Sequence, residues 1–258
     1  MRQQMGEIFT CNTGNCTYSK DKCRYMIKRV IIVGASSGIG KELVLQLAKS
    51  NYLIGITGRR GELLEQLRQQ YPEKIYCCEI DNTQTDTLEA KLENLRTRLG
   101  GLDLLILSSG VGHINESLDA ELELATIDLN ITAFTKIAGW AFKTFQKQVY
   151  GHLVAITSIA GMTGSHIAPA YNASKAYQIN YLKGLRKKAH NLKQPIMVTD
   201  IRPGFVDTAM AKGDGLFWVA PASKAASQII AAINKKKQLA YITRRWTWVG
   251  LALKFINW

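Results

Sequence analysis

The sequence predicts a single α/β domain built on a doubly wound, mostly parallel sheet of about seven strands. Three observations carry that expectation. Seven short apolar runs alternate with amphipathic helical stretches between residues 29 and 242. The first run leads straight into a glycine-rich loop that opens a helix. No repeat, low-complexity stretch or Pro-rich linker interrupts the alternation, and 258 residues are too few for two domains of ordinary size.

The apolar runs fall at 30–33, 52–57, 74–80, 102–107, 152–157, 196–201 and 239–242. Helical patterns lie between them, such as 41–50, with Leu43, Val44, Leu47 and Ala48 on one face, and 61–70. Strands alternating with helices of this length make βαβ units and a parallel sheet buried on both faces. Right-handed crossovers then place ligands at the carboxyl ends of the strands. The domain is expected over 26–245, with a polar segment 1–25 before it and an apolar segment 246–258 after it. Residues 1–24 lack the apolar stretch of a signal peptide. The first 25 residues read either as a disordered tail or as the product of a start placed too early, with Met26 the true first residue.

The formal charge of +13 is concentrated at one end, where residues 183–258 hold 14 Lys and Arg, three Asp and no Glu. A basic half suits nucleic acid, an anionic membrane surface or a phosphate-bearing ligand, and it suits a merely solvated helix face equally well. No nucleic-acid recognition motif accompanies the charge, which argues against that class. Cys11, Cys16, Cys23, Cys77 and Cys78 form neither a disulfide framework nor a zinc signature, so no metal site is expected. Reduced thiols in a cytoplasmic setting follow. Cys77 and Cys78, adjacent on a strand, should point to opposite faces.

The first strand enters Gly34-Ala35-Ser36-Ser37-Gly38-Ile39-Gly40 and then the helix beginning Lys41-Glu42-Leu43. Three glycines allow a tight turn and a close backbone approach to a pyrophosphate, and the helix N-terminus supplies free N–H groups and a positive dipole end. This is the phosphate loop of a Rossmann-type dinucleotide fold. The second strand ends Thr57-Gly58-Arg59-Arg60. An acid at the strand end would bind a ribose 2′-hydroxyl. Here a glycine and two arginines stand instead, and guanidinium forks suit a 2′-phosphate. The expected cofactor is therefore NADP (NADPH) rather than NAD. Two idle arginines at a helix start are the plain alternative, and the helix dipole disfavours them.

Tyr171-Asn172-Ala173-Ser174-Lys175 puts a lysine one helical turn after a tyrosine. Alone this means little: with ten Tyr and 21 Lys, about one such pair arises by chance, and Tyr18 with Lys22 is another. The ordered set carries the weight. Ser158 ends a strand thirteen residues before Tyr171, Asn130 lies in the long helix preceding that strand, and Gly110 closes the fourth strand. With Asp81 after the third strand and Pro203-Gly204-Phe205-Val206-Asp207-Thr208 after the sixth, the chain resembles the short-chain dehydrogenase/reductase family over residues 29 to about 242. Two departures stand out. Leu107-Ser108-Ser109-Gly110 replaces the family's usual Asn-Asn-Ala-Gly, so the bonds tying the central sheet there must be made differently, with the two serine hydroxyls as candidates. Val33 stands where Thr is common.

The resemblance implies hydride transfer between NADP(H) and a carbonyl or alcohol substrate, in a homo-oligomer. It assigns proton donation to Tyr171, whose free phenol has a pKa of about 10, to be lowered by Lys175 and the oxidised nicotinamide. It assigns Lys175 also to the nicotinamide ribose, Ser158 to the substrate oxygen, and Asn130 to a water held by a helix distortion and relaying protons to Lys175. It gives Asp81 the adenine amino group and Thr208 the carboxamide. Ordinary readings stand beside these: Ser158 as a strand-end cap, Asn130 as a polar helix residue, Tyr171 at the edge of the core, and Asp81 or Thr83 capping the next helix.

Segment 210–219 after Pro203-Gly204 reads as a glycine-containing lid whose apolar residues suit a lipophilic substrate. The thirteen residues from Trp246 to Trp258 are too short to cross a bilayer core of about 30 Å. They suit a peripheral interfacial helix, or packing on the substrate pocket or a partner subunit. The retained functional alternative is a non-catalytic NADP-binding redox sensor, which would need the glycine loop but not Ser158, Tyr171 and Lys175 together.

Overall fold

A computed structural model describes residues 27–208 and 217–256. Every expected strand is present. They are β1 (Lys28–Val33), β2 (Tyr52–Gly58), β3 (Ile75–Glu79), β4 (Leu104–Leu107), β5 (Gly151–Ile156) and β6 (Ile196–Pro203), then β9 (Leu239–Ile242) after a two-strand ribbon of β7 (Val206–Asp207) and β8 (Ala220–Pro221). Seven form one sheet in the order β3-β2-β1-β4-β5-β6-β9, and every pairing is parallel. The order reverses between β1 and β4, so the crevice at their carboxyl ends is where such a sheet receives a ligand.

The strand period of two divides the core. Val30, Ile32, Ile54 and Ile56 pack under α1 (Gly38–Ala48), α2 (Gly61–Gln70) and α7 (Ala222–Asn234). Ile31, Val33, Leu105 and Leu107 pack under α3 (Thr85–Leu99), α5 (Phe134–Gln148) and α6 (Pro169–Asn191). Cys77 and Cys78 fall on opposite faces, as their adjacency requires.

Two local features differ from the sequence reading, and a third, the helix distortion at Asn130, agrees with it. The fourth strand begins at Leu104 rather than at residue 102, because Asp103 is turned outward to receive the Arg29 guanidinium and main-chain N–H. The helix carrying Asn130 is broken into α4 (Ala120–Ile127) and α5 by a π-helical turn, Asp128–Ala133. The ribbon β7–β8 is too short for a periodicity to register. The segment from Trp246 forms α8 (Trp246–Ile256). Segments 1–25 and 210–216 of the sequence expectations, and the terminal Trp258, lie outside the described residues.

Candidate active site

The nucleotide side is shaped by backbone. Gly34 has φ +85°, and a Cβ there would lie 2.6 Å from the main-chain nitrogen of Ser109. Gly38 has φ +54°, and its added Cβ would meet the Thr208 methyl at 3.0 Å. A side chain at either position would be strained and crowded. Gly40 packs against the Gly34 carbonyl, while Ile39 turns into the core. Ser37 holds the N-cap position of α1, but its hydroxyl does not cap the helix. It accepts from Arg60 at 2.7 Å, as does Ser36. The first-turn N–H groups of α1 therefore keep no side-chain cap, as a phosphate cradle requires.

Arg59 turns elsewhere. With Glu79, Asp81, Gln84 and Lys91 it lines a cavity of about 330 Å³. Asp81 accepts from the Thr83 N–H (3.0 Å) and hydroxyl (2.8 Å), a turn placed just before α3 rather than a cap on it. Burial pushes the Asp81 carboxyl up, but the Thr83 hydrogen bonds and the Arg59 charge hold it below its ordinary value.

The catalytic candidates converge at the carboxyl end of β5. Ser158 follows that strand and caps the 3-10 turn Ile159–Met162, its Oγ accepting from the Ala160 N–H at 3.1 Å. Its hydroxyl is close enough to Tyr171 to oppose the upward push of burial on the phenol. The capping role expected of an ordinary serine and the contact expected of a catalytic one thus coexist. Lys175 is buried one turn further along α6, with Nζ 5.7 Å from the Tyr171 ring centroid. Gly110 faces this pair: a Cβ there would lie 3.3 Å from both Asn130 Oδ1 and Lys175 Nζ.

Asn130 is buried in the π turn. Its side chain accepts from Val111 N–H (2.9 Å) and donates to Val111 O (2.7 Å) and Ser174 Oγ (3.0 Å). Ser174 in turn donates to the Tyr171 carbonyl at 2.7 Å. The strand end at Ser108 is tied by its main-chain N–H to Val33 O (2.8 Å), so main chain and Asn130 anchor this segment where serine hydroxyls were the candidates. The expected distortion at Asn130 is present. Its carbonyl accepts from Gln178 Nε2 at 2.8 Å, and Gln178 Oε1 accepts from Lys175 Nζ at 3.2 Å. A side chain thus already links the two groups between which a water was expected.

Burial pushes the Tyr171 phenol above its ordinary value, with the Ser158 hydrogen bond opposing. This is opposite to the lowering expected from Lys175, because taking the phenolate out of water outweighs the help it receives. Burial brings Lys175 down to about 8, against the nearby Asp200. Asp200 is itself fully buried, ion-paired to Arg202 at 2.8 Å and accepting from Thr157 Oγ1 at 2.6 Å.

The region after β6 is built by large side chains. Trp246, the first residue of α8, is 3% exposed and packs so closely on Gly204, next to Pro203, that a Cβ there would collide with its ring. Phe205, Phe217 and Trp218 surround it at centroid distances of 5.5, 5.2 and 5.8 Å. Tyr241 donates to Met162 Sδ at 3.6 Å, binding β9 to the turn after Ser158. Of the tail aromatics read as one interfacial set, Trp246 faces inward and Trp248, 76% exposed, faces outward.

A family profile described as short chain dehydrogenase matches residues 28–215. The chain belongs to the short-chain dehydrogenase family. This dehydrogenase is 29% identical over 233 residues to an uncharacterized oxidoreductase of Mycobacterium tuberculosis, covering 87% of this chain and 91% of the relative. Its fold is that of ElxO with NADP bound (TM-score 0.73, 23% identity, 84% of this chain and 97% of that one). It is also that of a Burkholderia phymatum short-chain dehydrogenase/reductase in complex with NAD (TM-score 0.79, 15% identity, 88% and 93%).

Sequence reasoning missed three residues that build the dehydrogenase's site. Asn172 donates to the Ala160 and Thr163 carbonyls at 2.9 and 3.0 Å and so fixes the turn after Ser158. Ser174 and Gln178 tie α6 to the π turn. The available signal was polar residues on the buried face of an amphipathic helix, where apolar ones are the rule.

Proposed function

We propose that the protein is an NADPH-dependent carbonyl reductase, or in reverse an alcohol dehydrogenase, acting on a lipophilic substrate. The convergence of Ser158, Tyr171 and Lys175 at the same sheet end as the phosphate loop carries this reading. The donor set fits the cofactor: uncapped N–H groups at α1, small residues where a pyrophosphate approaches, and Arg59 and Arg60 for a 2′-phosphate. Asp81 and Thr208 flank this path, for the adenine and the carboxamide respectively. When bound, the nicotinamide supplies or accepts the hydride.

The chain's own residues handle the proton and the charge. Tyr171 Oη donates its proton to the substrate oxygen as the carbonyl becomes an alcohol. The upward push of burial on the phenol keeps the acid form present at neutral pH. Ser158 Oγ donates a hydrogen bond to the same oxygen. Lys175, as an ammonium beside the ring, offsets the phenolate left behind and orients the nicotinamide ribose. Asn130 holds the segment carrying Gly110 and Val111 against α6.

Two finer readings follow from the substrate side. The Phe205, Phe217, Trp218 and Trp246 cluster supports an apolar substrate. Exposed Phe217, Trp218, Val219, Trp248 and Leu251, with exposed Arg244 and Arg245 between them, support peripheral contact with an anionic membrane surface. Among the described residues no helix is long and apolar enough to cross a membrane.

The test is NADPH oxidation by the purified protein against aldehydes and ketones of graded chain length. Turnover rising with apolar length is expected. Tight NADPH binding without turnover on any of them would instead favour the redox-sensing alternative.

A further inference from the structure

Gln178 occupies a position where the mechanism assigns nothing. It lies on the inward face of α6, 1% exposed, three residues after Lys175. Its two amide atoms have different partners. Nε2 donates to the main-chain oxygen of Asn130 at 2.8 Å, and Oε1 accepts from Lys175 Nζ at 3.2 Å.

In a regular α-helix the Asn130 oxygen would take the Phe134 N–H, which in the π turn bonds to Ile131 O instead. A buried carbonyl is costly to leave unpaired, about 1–3 kcal/mol, and Gln178 on the facing helix supplies it with a donor. Once Nε2 is committed there, the amide cannot flip without losing both bonds. Its oxygen is thereby fixed toward Lys175, and an oxygen acceptor favours the charged ammonium over the neutral amine.

The other groups around Lys175 Nζ hold it more loosely. The Ile156 carbonyl lies at 3.4 Å, the Tyr171 ring centroid at 5.7 Å, and Asp200 acts at longer range while paired to Arg202. Gln178 Oε1, at 3.2 Å, is nearer the ammonium than the Ile156 carbonyl.

We propose that Gln178 is a positioning residue that holds Lys175 as an ammonium beside Tyr171 and locks it to the π turn of Asn130. Its catalytic consequence rests on the reductase reading above, whereas its effect on Lys175 does not. An amide gains or loses no proton at working pH, so Gln178 acts by fixing Lys175 and not as an acid or base.

The experiment follows the Lys175 titration by NMR in protein carrying ¹³Cε-lysine, without cofactor, with the resonance assigned by Lys175→Arg. The wild-type midpoint is expected near 8. Gln178→Met keeps the unbranched shape and removes the acceptor, so the midpoint should fall by about one pH unit, a tenfold change in the protonation equilibrium. Gln178→Glu places an anion beside the ammonium and should raise it. The alkaline limb of kcat/KM for carbonyl reduction should move in the same directions. Midpoints equal to wild type in both variants would overturn the proposal. If Gln178→Met fails to fold, the Gln178→Glu midpoint decides alone: a rise supports the assignment, and no change or a fall refutes it. A wild type without turnover defeats the reductase reading and leaves the NMR result to judge Gln178 by itself.

Discussion

On the nucleotide side of the site, between β1 and α1, geometry is set by what residues lack. Gly34 and Gly38 adopt positive φ, Gly40 packs on a carbonyl, and Gly58 leaves room beside Ser36. On the side proposed for the substrate, geometry is set by what residues bring. Three aromatic rings from two stretches gather around Trp246, which packs on Gly204 and anchors α8. The first kind of site rests on close approach of main chain and can tolerate little change. The second is assembled from distant parts and can change its ligand by changing side chains.

The comparison can be broken most sharply at Gly34. Gly34→Val adds a β-branched side chain at φ +85° against Ser109. The backbone strain alone costs about 1–3 kcal/mol, and the collision adds to it. Calorimetric titration should find no NADPH binding. Binding within about tenfold of wild type, a difference of about 1.4 kcal/mol, would mean the loop is not fixed by backbone.

Trp246→Ala tests the opposite side. Removing a buried tryptophan typically costs about 3–5 kcal/mol, so Tm should fall clearly. NADPH affinity should hold within about twofold while KM for an apolar carbonyl rises at least about tenfold. Parallel loss of both affinities would show that the two sides are not independent.

Arg59→Ala and Arg60→Ala sharpen the nucleotide side. A charge-assisted hydrogen bond contributes about 1.5–3 kcal/mol, so each change should raise KM for NADPH by about tenfold or more and leave NADH kinetics nearly unchanged. Equal use of NADPH and NADH by the wild type would contradict the assignment of both arginines.

The smallest effect belongs to the outer face of α8. Trp248→Glu should weaken co-sedimentation with vesicles containing anionic lipid by a few-fold to about tenfold, since one aromatic side chain contributes about 1.5–3 kcal/mol when fully buried and less at an interface. Wild-type binding should also fall as salt rises. Unchanged sedimentation in the variant would leave α8 as a wall of the pocket only.

Legibility followed the same division. The seven strands, the phosphate loop and the set Asn130, Ser158, Tyr171 and Lys175 could be read because each depends on local period or on a motif with fixed spacing. The inward turn of Trp246 could not, since it depends on contact with Gly204, some forty positions earlier. The tail therefore looked like one uniform apolar segment. Asp81 was readable as a polar strand-end residue, but its turn with Thr83, which stops short of capping α3, was not among the roles foreseen for it. Gln178 was overlooked because the partner of its amide nitrogen, the Asn130 carbonyl, lies on another helical segment, and the buried period of α6 marks its position without saying what it faces.

The central claim is that Tyr171 is the proton donor in a site whose cofactor is held by other groups. Tyr171→Phe removes only the phenolic oxygen. Turnover of the best carbonyl substrate should fall by at least about a thousandfold, a barrier increase of about 4 kcal/mol, while NADPH affinity stays within about twofold. Turnover within about tenfold of wild type, a change of only about 1.4 kcal/mol, would remove Tyr171 from the acid role and contradict the account.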